Sequence, residues 1–516
     1  MRRHLVGLVA LALLTACSSV PTEKPNNKDE VLVGQVLMPY AYGSDATRVD
    51  EASAKANQKL AGVDTPAEMV RKFHLGGLIL VGFAAEDPTG KTNPTTNVEN
   101  PEQVRALTDG LRKASDTPLL IGTDQEYGVV TRVRDGVTLL PSAMAFGAAA
   151  RPDLTERAWK AAGDELAAMG INVNFAPVAD TLGPGGSAVL GSRAFGDDPA
   201  KNAAQVAAAV RGLRAAGVAP ALKHFPGHGH TTGDSHDELP VVAQTREQWE
   251  RQDRPPFAAG IEAGAGLVMS GHLDVKAFDP GRPATFSSKV MTTVLRDELG
   301  FQGVTVTDAM NMAPAMKLPP GEAAVQAVLA GNDLLLMPPD LTAARDGLLA
   351  ALKDGRLPRA RLVEAADRIK ALQGTTGAKA PKPDAAADVR AAAAASITIL
   401  RGKCDGALVT GPVTVTAAKG RDVAKANLTK ALGRSGKGTT VHLVGYGDKP
   451  SDLVKADITV MMDQPALLAE SDSPTLIATY SSSPLSMSAL ADVLTGKAKA
   501  PGRSPIEVKG LPRSAC

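Results

Sequence analysis

A surplus of charge of either sign is absent from this sequence. Its 516 residues hold 56 lysines and arginines against 55 aspartates and glutamates, a net charge of +1. Attraction to nucleic acid or to an anionic lipid surface needs a basic excess, so neither is expected as a partner. Cysteine is scarce: only Cys17, Cys404 and Cys516 occur, which excludes a scaffold built on disulfides. The apolar run Leu5 to Leu14 is too short to span a bilayer stably. What remains is ordinary for a globular protein, with 44% hydrophobic and 22% charged residues. The length suggests roughly two to four domains, and the expected partner is a small molecule or a neutral polymer.

The N-terminus reads MRRHLVGLVALALLTACSSV. A basic start, a short apolar run and small residues before a cysteine are the pattern of an export signal. The ending Leu14-Thr15-Ala16-Cys17 resembles the bacterial lipobox. That resemblance implies cleavage before Cys17, a diacylglycerol on its sulfur and anchoring by several acyl chains; a plain cleaved signal with an incidental cysteine is the alternative. Residues 1–17 are thus read as signal and lipobox, and 18–30 as a flexible polar tether. In an exported setting Cys404 and Cys516 can form a pair or remain two free thiols, and the sequence leaves both open.

Between residues 31 and 373 eight short apolar runs alternate with amphipathic helical stretches. The runs are VLVGQVLMP (31–39), GLILVGFA (77–84), PLLIGTDQE (118–126), INVNFAPVAD (171–180), APALKHFPG (219–227), GLVMSGHLD (266–274), GVTVTDAMN (303–311) and NDLLLMP (332–338). Eight strand-then-helix units predict an α/β fold of the (β/α)8 barrel type. Most of these runs begin apolar and end polar, as at Asp124 to Glu126, Asn174 and Asp180, Lys223 and His224, His272 and Asp274, and Asp308 and Asn311. Ionisable groups at the C-terminal ends of barrel strands are where such folds build active sites. His272 and Met312 also fall near that rim, where either is equally explained by packing. A Gly/Pro/Lys-rich linker over 374–392 runs into an alanine-rich helix. Beyond it, residues 393–516 alternate strand-like and helical stretches and predict a smaller α/β sandwich domain.

The densest chemistry lies in KHFPGHGHTTGDSH, residues 223–236, which carries four histidines. A metal is the first reading to test. His224, His228, His230, Asp234 and His236 follow neither a helical His-x-x-x-His with its glutamate nor the His-x-His-x-Asp-His ligand run, so no metal is assigned. The stretch GRSGKGTT at 433–440 fails as a phosphate loop, because its glycines are too close and Gly438 follows Lys437 where a Ser or Thr is needed.

Lys223 to Gly229, followed by Asp234-Ser235-His236 and Pro240, resembles the signature of the β-N-acetylglucosaminidases of glycoside hydrolase family 3. The resemblance extends in order through Asp124-Gln125-Glu126, Ser192 to Pro199, Pro283 to Ser287 and Thr307 to Met310. It implies that Asp308 is the nucleophile, His236 the general acid/base and Asp234 its dyad partner. By the same match Asp124, Arg132, Arg193, Lys223 and His224 would surround the N-acetylglucosamine ring. The early block departs from the family, with Tyr127 and Val129 where glycine and arginine stand in the family, which puts the shape of the loop before Arg132 in question.

The function expected is therefore a retaining exo-β-N-acetylglucosaminidase, a monomer anchored outside the cytoplasmic membrane. It would act on peptidoglycan fragments or chitin-type oligosaccharides, with no metal or organic cofactor implied. Two alternatives stay open. An imidazole acid/base repels an incoming anion less than a carboxylate does, which would suit a phosphorylase, and a barrel without catalysis would suit a sugar-binding lipoprotein.

Overall fold

The computed structural model describes residues 27–82, 97–187, 189–231, 233–377 and 385–516. The signal reading, Cys17 and most of the tether lie outside the described residues.

Eight parallel strands form the first domain: β1 (Leu37–Met38), β2 (Gly77–Leu80), β3 (Leu120–Thr123), β4 (Val173–Asn174), β5 (Ala219–Phe225), β6 (Leu267–Ser270), β7 (Val304–Thr307) and β8 (Leu335–Leu336). Strands β2 to β7 are hydrogen-bonded in sequence order. The ring then closes, because Leu37 pairs with Leu335, Tyr40 bridges Ile79 and Val306 bridges Leu334. Every residue of these eight strands is buried. This is why they read as continuous apolar runs and not as alternating ones. The structure is thus the expected (β/α)8 barrel followed by an α/β sandwich.

Helices return the chain between strands, and their starts are written in the sequence. Pro101–Ala114 begins at Asn100, whose side chain accepts from Gln103 N–H, with proline at its first position. Pro66–Phe73 begins with a reciprocal capping box between Thr65 and Glu68. At the N-terminal end of the barrel, fully buried Asp333 is held by Arg296 at 2.6 Å, Arg361 at 2.7 Å and Arg368 at 3.2 Å. That end is locked by ion pairs while the opposite end is left for chemistry.

Three boundaries differ from the sequence reading. Residues 31–35, expected to open the first strand, belong to the helix Asn27–Gln35. It buries Val33 against the barrel and places Asp29 3.0 Å from Arg359. The expected tether over 18–30 therefore does not extend through residues 27–30. Likewise the expected linker over 374–392 is not all linker. Gly377 donates its N–H to the Gly217 carbonyl at 3.0 Å, and Ala385–Ser396 is a helix with Val389 and Ala392 buried. The alanine-rich helix read from the sequence thus begins at Ala385, inside the expected linker, and only its start differs.

The second domain is a five-stranded sheet of β9 (Thr398–Arg401), β10 (Val413–Ala417), β11 (Thr439–Val444), β12 (Ile458–Met461) and β13 (Thr475–Ala478) in the order β9-β13-β12-β11-β10. All pairings are parallel except β9 with β13. A disulfide joins Cys404 to Cys516 with their Cα atoms 5.5 Å apart, tying the C-terminus beside β9. The two domains share an apolar cluster in which Met144, Val178 and Leu182 of the barrel pack with Val444, Met461 and Ile506 of the sandwich.

Candidate active site

All three expected catalytic residues and all five expected sugar-binding residues line one cavity of about 830 Å³ at the C-terminal end of the barrel. They are Asp308, His236 and Asp234, with Asp124, Arg132, Arg193, Lys223 and His224. They are delivered by several separate pieces of chain. Asp124 follows β3, Lys223 and His224 end β5, Asp308 follows β7, and the dyad comes from the loop after β5. Parallel strands all point their C-terminal ends the same way, so residues far apart in sequence converge there.

The floor of the cavity is a charge cluster. Arg193 grips Glu126 with two hydrogen bonds, of 2.7 and 2.9 Å. Lys223 lies 2.6 Å from Glu126 and 2.8 Å from Asp124. Burial disfavours ionised Glu126, but two adjacent cations outweigh it and hold the carboxyl far below its usual range. Lys223 shows the converse: burial opposes its charge, and Asp124 and Glu126 prevail and raise it. Glu126, to which the sequence assigns no role, is the hub that fixes both cations. Gln125 shapes the wall beside it. Its side-chain amide oxygen Oε1 accepts the backbone N–H groups of Arg132 and Val133 at 2.9 and 3.0 Å, which places Arg132 at the cavity.

The four histidines of the loop divide sharply. His224 sits 2.8 Å from buried Asp180. His228 is enclosed, with Thr231 Oγ1 at 2.7 Å and Ser235 Oγ at 3.1 Å, and burial pushes its imidazole toward the neutral form. His230 lies 3.2 Å from the buried carboxylate of Asp253. His236 alone has its side chain largely in solvent, 64% exposed, with Nδ1 2.7 Å from Asp234 Oδ1. Among the described residues no three His, Cys, Asp or Glu side chains are grouped to hold a metal ion. Gly227 makes the sharp entry to this loop at φ +136°, where a Cβ would lie 2.8 Å from Asp253 Oδ1. The loop is anchored further by Trp249, whose indole N–H donates to the Pro226 carbonyl at 2.8 Å.

Asp308 is half-buried, and one of its oxygens accepts the Ala309 N–H at 2.8 Å. Burial favours its neutral form, but the imidazoles of His224, His272 and His236 outweigh that and hold the carboxyl below its usual range. His272 is fully buried and does not line the cavity. Its Nε2 lies 3.0 Å from the Ala309 carbonyl and its Nδ1 2.8 Å from Thr285 Oγ1, so it braces the turn that presents Asp308. Met312 does line the cavity.

The second domain reaches this site, which sequence reasoning did not foresee. Tyr446, in the turn after β11, lines the cavity, and its hydroxyl donates to the Val189 carbonyl at 3.2 Å. Asp463 accepts the N–H of Ser192, the neighbour of Arg193, at 2.8 Å. No motif marks Tyr446, because its position depends on how two domains pack.

The departures at Tyr127 and Val129 do not enter the cavity. Tyr127 takes φ +67° and turns into the core, with its ring edge-on to Trp159 at 5.8 Å, while Val129 faces a separate crevice between the domains.

Comparison with known proteins agrees with this geometry. The glycosyl hydrolase family 3 N-terminal domain matches residues 33–372. The Beta-hexosaminidase A of Pseudoalteromonas piscicida is 34% identical over 350 residues, which are 64% of this chain and 56% of that protein. The Beta-hexosaminidase of Xylella fastidiosa strain M23 is 42% identical over 224 residues, 42% of this chain and 66% of that one. The chain thus spans less than two thirds of the length of either relative. The solved structure of a glycoside hydrolase family 3 beta-N-acetylglucosaminidase from Paenibacillus sp. str. FPU-7 superposes with a TM-score of 0.78 at 30% identity, covering 93% of this chain and 98% of that one. With the family's domain matched over residues 33–372, most of the barrel and well over half of the chain, the protein belongs to glycoside hydrolase family 3.

Proposed function

We propose that the protein is a retaining exo-β-N-acetylhexosaminidase that releases terminal β-linked N-acetylglucosamine from peptidoglycan fragments or chitin-type oligosaccharides. One observation carries the reading: a carboxylate held in its ionised form, Asp308, shares a cavity with an exposed Asp234–His236 pair. The names borne by the relatives and by the Paenibacillus structure support the sugar specificity.

In this reading Asp308 attacks the anomeric carbon while His236 protonates the departing oxygen. The bond from anomeric carbon to leaving oxygen breaks as the bond to Asp308 forms. His236, now neutral, takes a proton from water, which attacks the same carbon and frees Asp308. Two displacements at one carbon retain the β configuration. Asp234 orients the imidazole and stabilises its protonated form. Asp124, Arg132, Arg193, Lys223 and His224 offer charge-assisted hydrogen bonds to ring hydroxyls. Release from 4-nitrophenyl β-GlcNAc, beside the β-glucoside and with and without phosphate, tests the reading. Free GlcNAc first formed as the β-anomer supports it; a sugar 1-phosphate product, or preference for the glucoside, overturns it.

The same proposal places the protein outside the cytoplasmic membrane, attached through lipidated Cys17. Its support is the Arg2 to Cys17 sequence alone. If Cys17→Ala protein stays membrane-bound and lipid-labelled on fractionation, the anchor assignment is wrong.

A further inference from the structure

We infer that Asp180 is a positioning residue that sets both ends of the candidate site, fixing the ring of His224 in the sugar pocket and anchoring the loop that carries Asp234 and His236. Its kinetic consequences rest on the function proposed above; its structural consequence does not.

Asp180 lies on the segment after β4 and is 1% exposed. Its two oxygens do different work. Oδ2 is 2.8 Å from His224 Nδ1. Nothing but an acceptor is presented there by a carboxylate, so Nδ1 carries the hydrogen and Nε2 is left for another partner. Oδ1 accepts two backbone N–H groups, from His224 at 3.1 Å and from His228 at 2.8 Å. From His228 the chain of contacts has a direction. The Thr231 hydroxyl donates to the His228 carbonyl at 3.0 Å, so it accepts from Nδ1–H at 2.7 Å. His228 Nε2 is then the acceptor for the Ser235 hydroxyl at 3.1 Å. Ser235 stands between Asp234 and His236, so a carboxylate under the sugar pocket is connected by successive hydrogen bonds to the proton-transfer pair.

The two functions of Asp180 separate by substitution. In Asp180→Asn the amide oxygen can still accept both backbone N–H groups, which leaves the amide N–H₂ facing His224 Nδ1. The ring must then present its lone pair at Nδ1 and its hydrogen at Nε2. The loop stays anchored and the tautomer inverts. Asp180→Ala loses both.

Nitrogen-15 NMR of histidine-labelled full chain, with His224→Gln to assign the signal, should show Nδ1–H at His224 in the parent and Nε2–H in Asp180→Asn. On GlcNAc glycosides Asp180→Asn should raise KM by about 10-fold and leave unchanged the ratio of rates on a dinitrophenyl glycoside and a disaccharide. Asp180→Ala should raise KM and also move that ratio toward the activated substrate. An unchanged tautomer in Asp180→Asn overturns the His224 assignment, and a folded Asp180→Ala with an unchanged ratio overturns the loop assignment. If Asp180→Ala does not fold, the Asp180→Asn spectrum and KM decide. A parent inactive on GlcNAc glycosides would defeat the proposed function while the spectrum still tests Asp180.

Discussion

His236 Nδ1 and the His236 backbone N–H both meet one oxygen of Asp234, at 2.7 and 2.9 Å. The aspartate therefore orients ring and backbone together, while the imidazole remains in solvent, where it can meet a leaving group. Burial disfavours ionised Asp234, but the His236 backbone N–H and imidazole prevail and lower it below its usual range. A carboxylate held ionised is what an imidazole needs to be stabilised in its protonated form.

From this pair follows the expected behaviour of His236→Ala. Proton transfer to a departing oxygen is worth about 100- to 10,000-fold in rate and matters most for a poor leaving group. Activity on a GlcNAc disaccharide should fall far more than on a dinitrophenyl glycoside. On the activated substrate azide should accelerate turnover and give the β-glycosyl azide, because water attack has lost its base. Asp234→Ala should show a milder form of the same profile, His230→Ala should not, and chelators should leave the parent unaffected. Equal slowing on both substrates without azide rescue would remove the proton-transfer role.

Asp308 is expected to carry the covalent intermediate. A fluorinated GlcNAc-type glycosyl fluoride should label the peptide containing it, and Asp308→Ala should be folded and inactive. Only the ionised carboxylate is a nucleophile, and its proton affinity is lowered from the ordinary 3.8. The labelling rate should therefore hold as pH falls to that value and decline only below it. A label mapped to another carboxylate, or an acid limb well above 3.8, contradicts the assignment.

Glu126→Gln should destabilise the barrel strongly. The Glu126 side chain is 2% exposed and faces Lys223 and Arg193, at 4% and 9%. Removing its charge leaves two buried cations short of a partner, a cost of about 3 to 5 kcal/mol. Because the folded-state carboxyl is depressed below 4.5, its contribution is fully present above that pH and is lost as pH falls through the folded value. Thermal melts should show a clear loss at neutral pH that shrinks at strongly acid pH. A melting temperature equal to the parent at pH 7 would refute the pairing.

Tyr446→Ala tests the part taken by the second domain. An aromatic face contributes about 0.5 to 1.5 kcal/mol beyond its buried area, so KM for a disaccharide should rise roughly 2- to 10-fold with a smaller change in kcat. Unchanged KM would mean that the sandwich domain borders the cavity without touching substrate.

The sequence by itself determined the barrel and its chemical inventory. Eight buried parallel strands leave apolar runs, and helix starts such as Asn100-Pro101 and Thr65-Pro66 leave caps, because both signals depend on near neighbours. The run from Lys223 to His236 likewise announced its chemistry through residue identity and order. The family resemblance singled out His236 and set His224 in the sugar pocket, but the physical reason for that division lies in packing. Contacts with Asp180, Ser235 and Asp253 brace His224, His228 and His230, while His236 keeps its ring largely in solvent beside Asp234. At the start of the first domain, Asn27–Gln35 includes residues expected as a strand but is a helix because apolar surface lay within reach, whereas the alanine-rich helix Ala385–Ser396 was legible in its composition. Tyr446 depended on tertiary structure altogether. It lies in the turn after a strand of another domain, and the packing of Met144, Val178 and Leu182 against Val444, Met461 and Ile506 carries it to the cavity. Local signals record what a residue can do, and long-range packing decides where it does it.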